Sequence, residues 1–236
     1  MKDGVPTMWC YTPVVDSAVA ATCTSSGLTQ GLHCGECNTV LVEQLPVDPI
    51  GHDYVNRVCA NCGDILYSQG LVFESNGDGT CKLIGLGECP DSYLFIPPVS
   101  PDGDAVTAIG AMAFSYCDQL TGVTIPGSVS IIESYAFSSC ENIEQVYLGE
   151  GVMEIHFAAF FGCGSLVKFT LPTSITYLGN YIFARCISLC EINYSGSAED
   201  FYWNVSKEDM WNQEIGICIL HCTDGDLDVT NENEAA

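Results

Sequence analysis

The chain has 236 residues, 47% of them hydrophobic and only 15% charged, which is enough apolar material for one or two folded domains and excludes wholesale disorder. Acidic residues number 30 and basic residues 6, giving a formal net charge of −24. Such a surface repels nucleic-acid backbones and anionic lipid, and it favours a neutral or basic partner. No run of about 18 apolar residues is present to span a bilayer. Residues Met1 to Pro6 lack the apolar stretch of a secretory signal, so either the protein stays inside the cell or its start is truncated; truncation is expected, because the chain reads as beginning inside a motif.

The first predicted element is a cysteine-rich module over residues 1–66. It holds Cys10, Cys23 and two knuckles, Cys34-Gly-Glu-Cys37 and Cys59-Ala-Asn-Cys62. A C-x-x-C knuckle lets two thiolates reach one zinc ion, and two knuckles complete a tetrahedral site. The 21 residues between these knuckles (38 to 58) slightly exceed the usual spacing, however. A second grouping joins Cys23, Cys34, Cys37 and His52 as three thiolates and one imidazole. Disulfides are the third possibility, because small secreted modules use them often. A structural zinc ion is the expected cofactor, with Cys23, Cys34, Cys37, His52, Cys59 and Cys62 as candidate ligands. Four protein ligands leave no open coordination position, so a catalytic zinc is not expected.

A repeat then runs from about residue 72 to residue 225. An irregular first coil carries Cys89, Leu94, Ile96 and Pro97. From Pro97 to Pro126 is 29 residues, and the extra length sits in the loop Ser100 to Asp104. After it, Phe114, Phe137, Phe160 and Phe183 recur every 23 residues. Cys117, Cys140, Cys163 and Cys186 keep the same step, as do Ile109, Ile132, Ile155 and Leu178. Each cysteine precedes an L-x-x-L-x-L pattern: Leu120, Val123, Ile125; Ile143, Val146, Leu148; Leu166, Phe169, Leu171; Leu189, Ile192, Tyr194. A 23-residue period predicts a leucine-rich-repeat solenoid in which each coil gives one short strand, paired in parallel with the next, and short helical turns. Val123 and Ile125 alternate with Thr124, the sign of a strand with one buried face. The cysteine ladder is expected inside, packed as small hydrophobes.

The other face of those strands predicts a binding surface: Thr124, Gln145, Tyr147, Lys168, Thr170 and Asn193. His156 occupies the slot held by Gly110, Glu133 and Gly179 in the other coils and is expected on an exposed turn. Phe201, Tyr202, Trp203 and Trp211 are expected to cover the last coil. Asn193-Tyr194-Ser195 and Asn204-Val205-Ser206 are glycosylation sequons, meaningful only in a eukaryotic secretory route. Residues 226–236 read as an acidic disordered tail. There is no Ser-His-Asp set with local support, no phosphate-cradling glycine loop and no carboxylate pair with an evident role. The expectation is a protein that is not an enzyme.

The blocks Val106 to Gly110, Ala113-Phe114, Cys117, Leu120 and Val123-Thr-Ile-Pro126 resemble BspA-type leucine-rich repeats. The ending Ile192 to Gly196, Trp203, Trp211 and His221 to Gly225 is similar to the usual close of such arrays. The front, from Cys23 through His33-Cys34 and Cys37 to Gly51-His52, is similar to a module found beside those arrays. That likeness favours the Cys23, Cys34, Cys37, His52 grouping, with Cys59 and Cys62 joining His52 in a second, incomplete site. The resemblance implies a secreted or cell-surface protein that binds a protein or glycan ligand, with adhesion or host interaction as its role; a monomer is expected. The competing implication is a stalk or accessory array of a larger surface protein or enzyme.

Overall fold

The computed structural model describes residues 12–55, 57–215 and 218–229. The chain divides into two compact units, residues 1–66 and 67–236. Cys10 and the segment from Thr230 to Ala236 lie outside the described residues, so nothing is placed for them.

The first unit is built from very short strands: β1 (Pro13–Asp16), β2 (Gly27–Leu28), β3 (Gly31–Cys34), β4 (Val40–Val42), β5 (Pro46–Val47), β6 (Tyr54–Val55) and β7 (Val58–Cys59). They form one three-stranded antiparallel sheet, β1-β3-β4, and two pairs, β2-β5 and β6-β7. Among its described residues, the buried apolar side chains are Cys23, Cys34 and Cys59 alone. Val15, Val40, Leu45, Ile50 and Val55 are exposed. The described residues of this unit therefore form no hydrophobic core of their own.

The second unit begins with β8 (Val72–Ser75), β9 (Thr80–Gly85), β10 (Tyr93–Phe95) and β11 (Ala105–Ile109). It continues through β12 (Gly122–Ile125), β13 (Ile131–Ile132), β14 (Gln145–Leu148), β15 (Glu154–Ile155), β16 (Lys168–Leu171), β17 (Tyr177–Leu178) and β18 (Glu191–Tyr194). It closes with α1 (Ala198–Asn204), β19 (Ser206–Lys207), β20 (Ile219–Cys222) and β21 (Gly225–Asp228). Two seven-stranded sheets result, β10-β12-β14-β16-β18-β20-β21 and β19-β17-β15-β13-β11-β9-β8. Each coil thus gives two strands, where the sequence pattern predicts one. The second strand is only two residues long in most coils, too short to show as alternation.

In the first sheet Leu94, Val123, Val146, Phe169, Ile192 and Leu220 occupy one register row and are all buried. In the second, Ile109, Ile132, Ile155 and Leu178 do the same. Between the sheets Phe114, Phe137, Phe160 and Phe183 form one internal column. Successive ring centroids are 4.9, 5.2 and 6.3 Å apart, with interplanar angles of 10°, 1° and 23°. The last step opens because Phe169 replaces a valine. Its ring meets Phe160 and Phe183 edge-on at 4.9 and 4.8 Å. Each buried side chain of this size contributes roughly 1.5–3 kcal/mol.

The cysteine ladder does more than fill space. The Cys140, Cys163 and Cys186 thiols donate to the carbonyls of Phe114, Phe137 and Phe160, at 2.9, 3.2 and 3.1 Å. Each thiol thereby ties one coil to the coil before it. Burial, with the charge of a neighbouring thiolate, holds the Cys140 thiol well above the usual thiol range.

The expected helical turns are not helices; α1 is the single helix among the described residues. The chain instead reverses through left-handed residues, again at a step of 23: Met112, Tyr135, Ala158, Tyr181, and Tyr116, Ser139, Gly162, Arg185. Only one of these eight is glycine, so their residue types do not mark them as left-handed. Glycine is required where coils touch. A Cβ on Gly127 would lie 1.8 Å from the Glu150 carbonyl oxygen.

Both ends of the array are protected, as open sheet edges need to be. Leu94 pairs with Val123, placing the irregular first coil on the leading edge as expected. The β8-β9 hairpin closes one sheet and the β20-β21 hairpin the other. Asp226 to Asp228, read as tail, lie in β21. Trp211 is buried against Phe201, 5.9 Å away, and caps the last coil. Trp203 does not; it is 73% exposed.

Candidate functional site

In the first unit, Cys23, His52, Cys59 and Cys62 converge, with their ligand atoms all within 4.8 Å of one another. The convergence follows from local pairing. β2 pairs with β5, and the Ile50 N–H donates to the Thr22 carbonyl at 2.9 Å, which brings His52 beside Cys23. The β6-β7 hairpin sets Tyr54 opposite Cys59 and delivers the second knuckle to the same place. Cys23 Sγ lies 3.7 Å from Cys59 Sγ, and Cys62 Sγ lies 3.4 Å from His52 Nδ1. The Tyr54 ring stacks on His52 at 5.3 Å.

The two thiols at the short contact are driven apart electrostatically. Burial and the hydrogen bonds of Cys62 and Cys59 push Cys23 up to about 12. Burial also acts to raise Cys59, but the backbone N–H groups around the knuckle outweigh it and bring that thiol down to about 6.

Cys34 and Cys37 stand outside this set. Their knuckle is built like the second one. The Asn38 and Gly63 N–H groups each donate to the first cysteine's carbonyl at 2.8 Å, and both residues are left-handed. Yet the first knuckle sits on the β1-β3-β4 sheet, and its Cys37 Sγ contacts Thr39 Oγ1 at 3.2 Å. The structure therefore joins Cys23 to the His52, Cys59, Cys62 group and not to Cys34 and Cys37.

On the solenoid, the predicted binding residues form two register rows on the outer face of the first sheet. Gln145 and Lys168 make one, which Glu191, not among the predicted residues, continues; Thr124, Tyr147, Thr170 and Asn193 make the other. Tyr147 is 41% exposed, and its hydroxyl donates to Gln145 Oε1 at 3.1 Å. Lys168 pairs with Glu191 at 3.3 Å. A row of this kind presents side chains at the strand spacing of about 4.8 Å on a backbone that cannot shift.

The turn side carries a feature that the sequence pattern did not single out. Phe157 lies edge-on between Tyr135 and Tyr181, with centroids 5.4 and 5.7 Å away. A cleft of about 470 Å³ opens there, lined also by Phe161, Arg185 and Glu214. Phe157 is 39% exposed. His156, expected as an isolated turn residue, is 2.8 Å from Glu154 Oε2 and packs edge-on against Tyr177. The signal available in the sequence was aromatic residues at loop positions 135, 157 and 181.

Residues 106–208 match the model of the BspA type leucine rich repeat region, in six copies. The chain is also similar to a leucine-rich repeat protein from Bacteroides capillosus, at 31% identity over 56% of this chain and 98% of that one, with a TM-score of 0.49. Residues 106–208 of this chain are a BspA-type leucine-rich repeat array. A second solved structure, a leucine rich repeat protein of T. pallidum, is 27% identical over 55% of this chain and 63% of that one, with a TM-score of 0.49. A leucine rich cell surface protein from Faecalibacterium prausnitzii is 23% identical over 60% of this chain and 42% of that one, with a TM-score of 0.40. No curated protein matches the sequence. The family match covers the BspA-type array and leaves the cysteine-rich unit outside it. Among the described residues, no helix is long and apolar enough to cross a membrane.

Proposed function

We propose that this BspA-type protein is a non-catalytic surface module whose solenoid holds a protein or glycan ligand on the outer face of its strands. The single observation behind this reading is the pair of half-buried register rows from which Tyr147 and Lys168 stand exposed. They are backed by a continuous buried core, so they are rigid before any ligand arrives. A rigid aromatic and polar surface loses little conformational entropy on binding. The net charge of −24 makes a neutral glycan or a basic protein the favoured ligand. Location outside the cell and a role in adhesion rest on the family resemblance.

The test is to screen the purified full chain on a glycan array and on a panel of extracellular-matrix proteins, beside the Tyr147→Ala/Lys168→Ala variant. A ligand held by the parent and lost by the variant supports the reading. A ligand held equally by both counts against it.

One observation favours a second reading, with the ligand in the turn-side cleft: Phe157 stands exposed there among three further aromatic rings. The Phe157→Ala variant in the same screen separates the two surfaces. The stalk alternative is favoured if neither substitution matters.

A further inference from the structure

We propose that Cys23, His52, Cys59 and Cys62 bind one zinc ion in a closed tetrahedral site, and that this ion stands in for the hydrophobic core that the described residues of the N-terminal unit lack.

The geometry is specific. Zinc bonds of about 2.3 Å to sulfur and about 2.0–2.1 Å to nitrogen set the edges of a tetrahedron, roughly 3.8 Å between two sulfurs and roughly 3.6 Å between sulfur and nitrogen. The Cys23–Cys59 edge is 3.7 Å and the Cys62–His52 edge is 3.4 Å. A disulfide would instead hold its sulfurs about 2.05 Å apart. Hydrogen bonding alone would not draw in all four groups; the four ligand atoms lie within 4.8 Å of one another.

The donor set agrees with the metal. Three soft sulfurs and one imidazole select zinc over magnesium or calcium, which demand oxygen ligands. His52 presents Nδ1 to the site. The same nitrogen lies 3.9 Å from Asp64 Oδ2, and Tyr54 donates from its hydroxyl to that carboxylate oxygen at 3.1 Å. The Tyr54 ring, stacked on His52 with centroids 5.3 Å apart, holds the imidazole in place. With four protein ligands there is no open position, so the ion is structural.

The energetic argument is independent of the distances. The only buried apolar side chains among the unit's described residues are three cysteines, two of them ligands of the proposed site. Small units without sufficient core are held by metals or disulfides, and binding of the ion is then part of folding. The ion would join three separate segments, around Cys23, around His52 and at the Cys59 knuckle.

The experiment uses the full chain, purified with its thiols counted and its metal content measured by mass spectrometry. One zinc per chain is expected, and cobalt substitution should give the visible absorption of a tetrahedral thiolate site. Cys59→Ser/Cys62→Ser should abolish both, while Cys34→Ser/Cys37→Ser should leave both in place. His52→Cys should keep the metal, and His52→Ala should weaken it by at least about ten-fold. The solenoid's thermal transition reports that each variant is otherwise folded. Absence of zinc from the parent, a Cys23–Cys59 disulfide, or loss of the metal on changing Cys34 and Cys37 would each overturn the proposal.

Discussion

Phe137→Ala is the sharpest perturbation of the solenoid. Phe137 is fully buried and stacks on both Phe114 and Phe160, at 4.9 and 5.2 Å. Removing a buried phenylalanine costs about 3–5 kcal/mol when the site cannot collapse. Each lost stack adds about 0.5–1.5 kcal/mol beyond area. Collapse is opposed here, because the flanking coils are tied by the thiol–carbonyl bonds and by parallel ladders on both sides. The upper half of the range, about 4–5 kcal/mol, is therefore expected. For a unit of this size that corresponds to a fall in Tm of about 8–20 °C. Phe114→Ala, which loses one stack instead of two, should cost about 1 kcal/mol less. Urea unfolding followed by circular dichroism measures both. A loss under about 1.5 kcal/mol for Phe137→Ala, or equal losses at the two sites, would refute the column as a shared internal support.

Three further outcomes follow from other contacts. Gly127→Ala forces a Cβ onto the Glu150 carbonyl and should destabilise the solenoid by about 2–3 kcal/mol by the same unfolding assay, comparable to other overpacked sites. Thiol titration of the native chain with Ellman's reagent should leave Cys140, Cys163 and Cys186 unreacted while the exposed Cys190 reacts, since all three ladder thiols are buried out of reach; burial also raises the Cys140 thiol, and the Cys186 contact with burial raises that of Cys163. Burial acts to raise the Glu133 carboxyl, but Lys82 and the Ala111 N–H outweigh it and hold it below the usual range. Its contribution is therefore present at neutral pH and lost as pH falls through that lowered value. Glu133→Gln should remove about 0.2–1 kcal/mol at pH 7 and flatten the acid limb of the stability profile.

The coils were legible because a 23-residue step repeats in four residue classes at once, and only stacking makes such classes coincide. Phe114 to Phe183 and Ile109 to Leu178 could be assigned inside from that step alone. The second sheet was not legible, because strands such as Ile131–Ile132 are too short to alternate. The left-handed ladder was hidden by Tyr116, Tyr135 and Arg185, which ordinarily avoid that conformation. In the cysteine-rich unit, spacing named six candidate ligands but could not say which would meet. The grouping is decided by the β2-β5 pairing, a contact between segments about twenty residues apart that leaves no periodic mark. Trp203 and Trp211 have the same composition signal and opposite fates, because only Trp211 falls where Phe201 offers a buried face.

Amide hydrogen exchange tests the claim on which the whole account stands, that the coils share one continuous core and hold the outer face rigid. Peptides covering β12, β14, β16 and β18 should exchange at rates within about ten-fold of one another, each limited by opening of the whole array. A coil in the middle of the array that exchanges about a hundred-fold faster than its neighbours would contradict it.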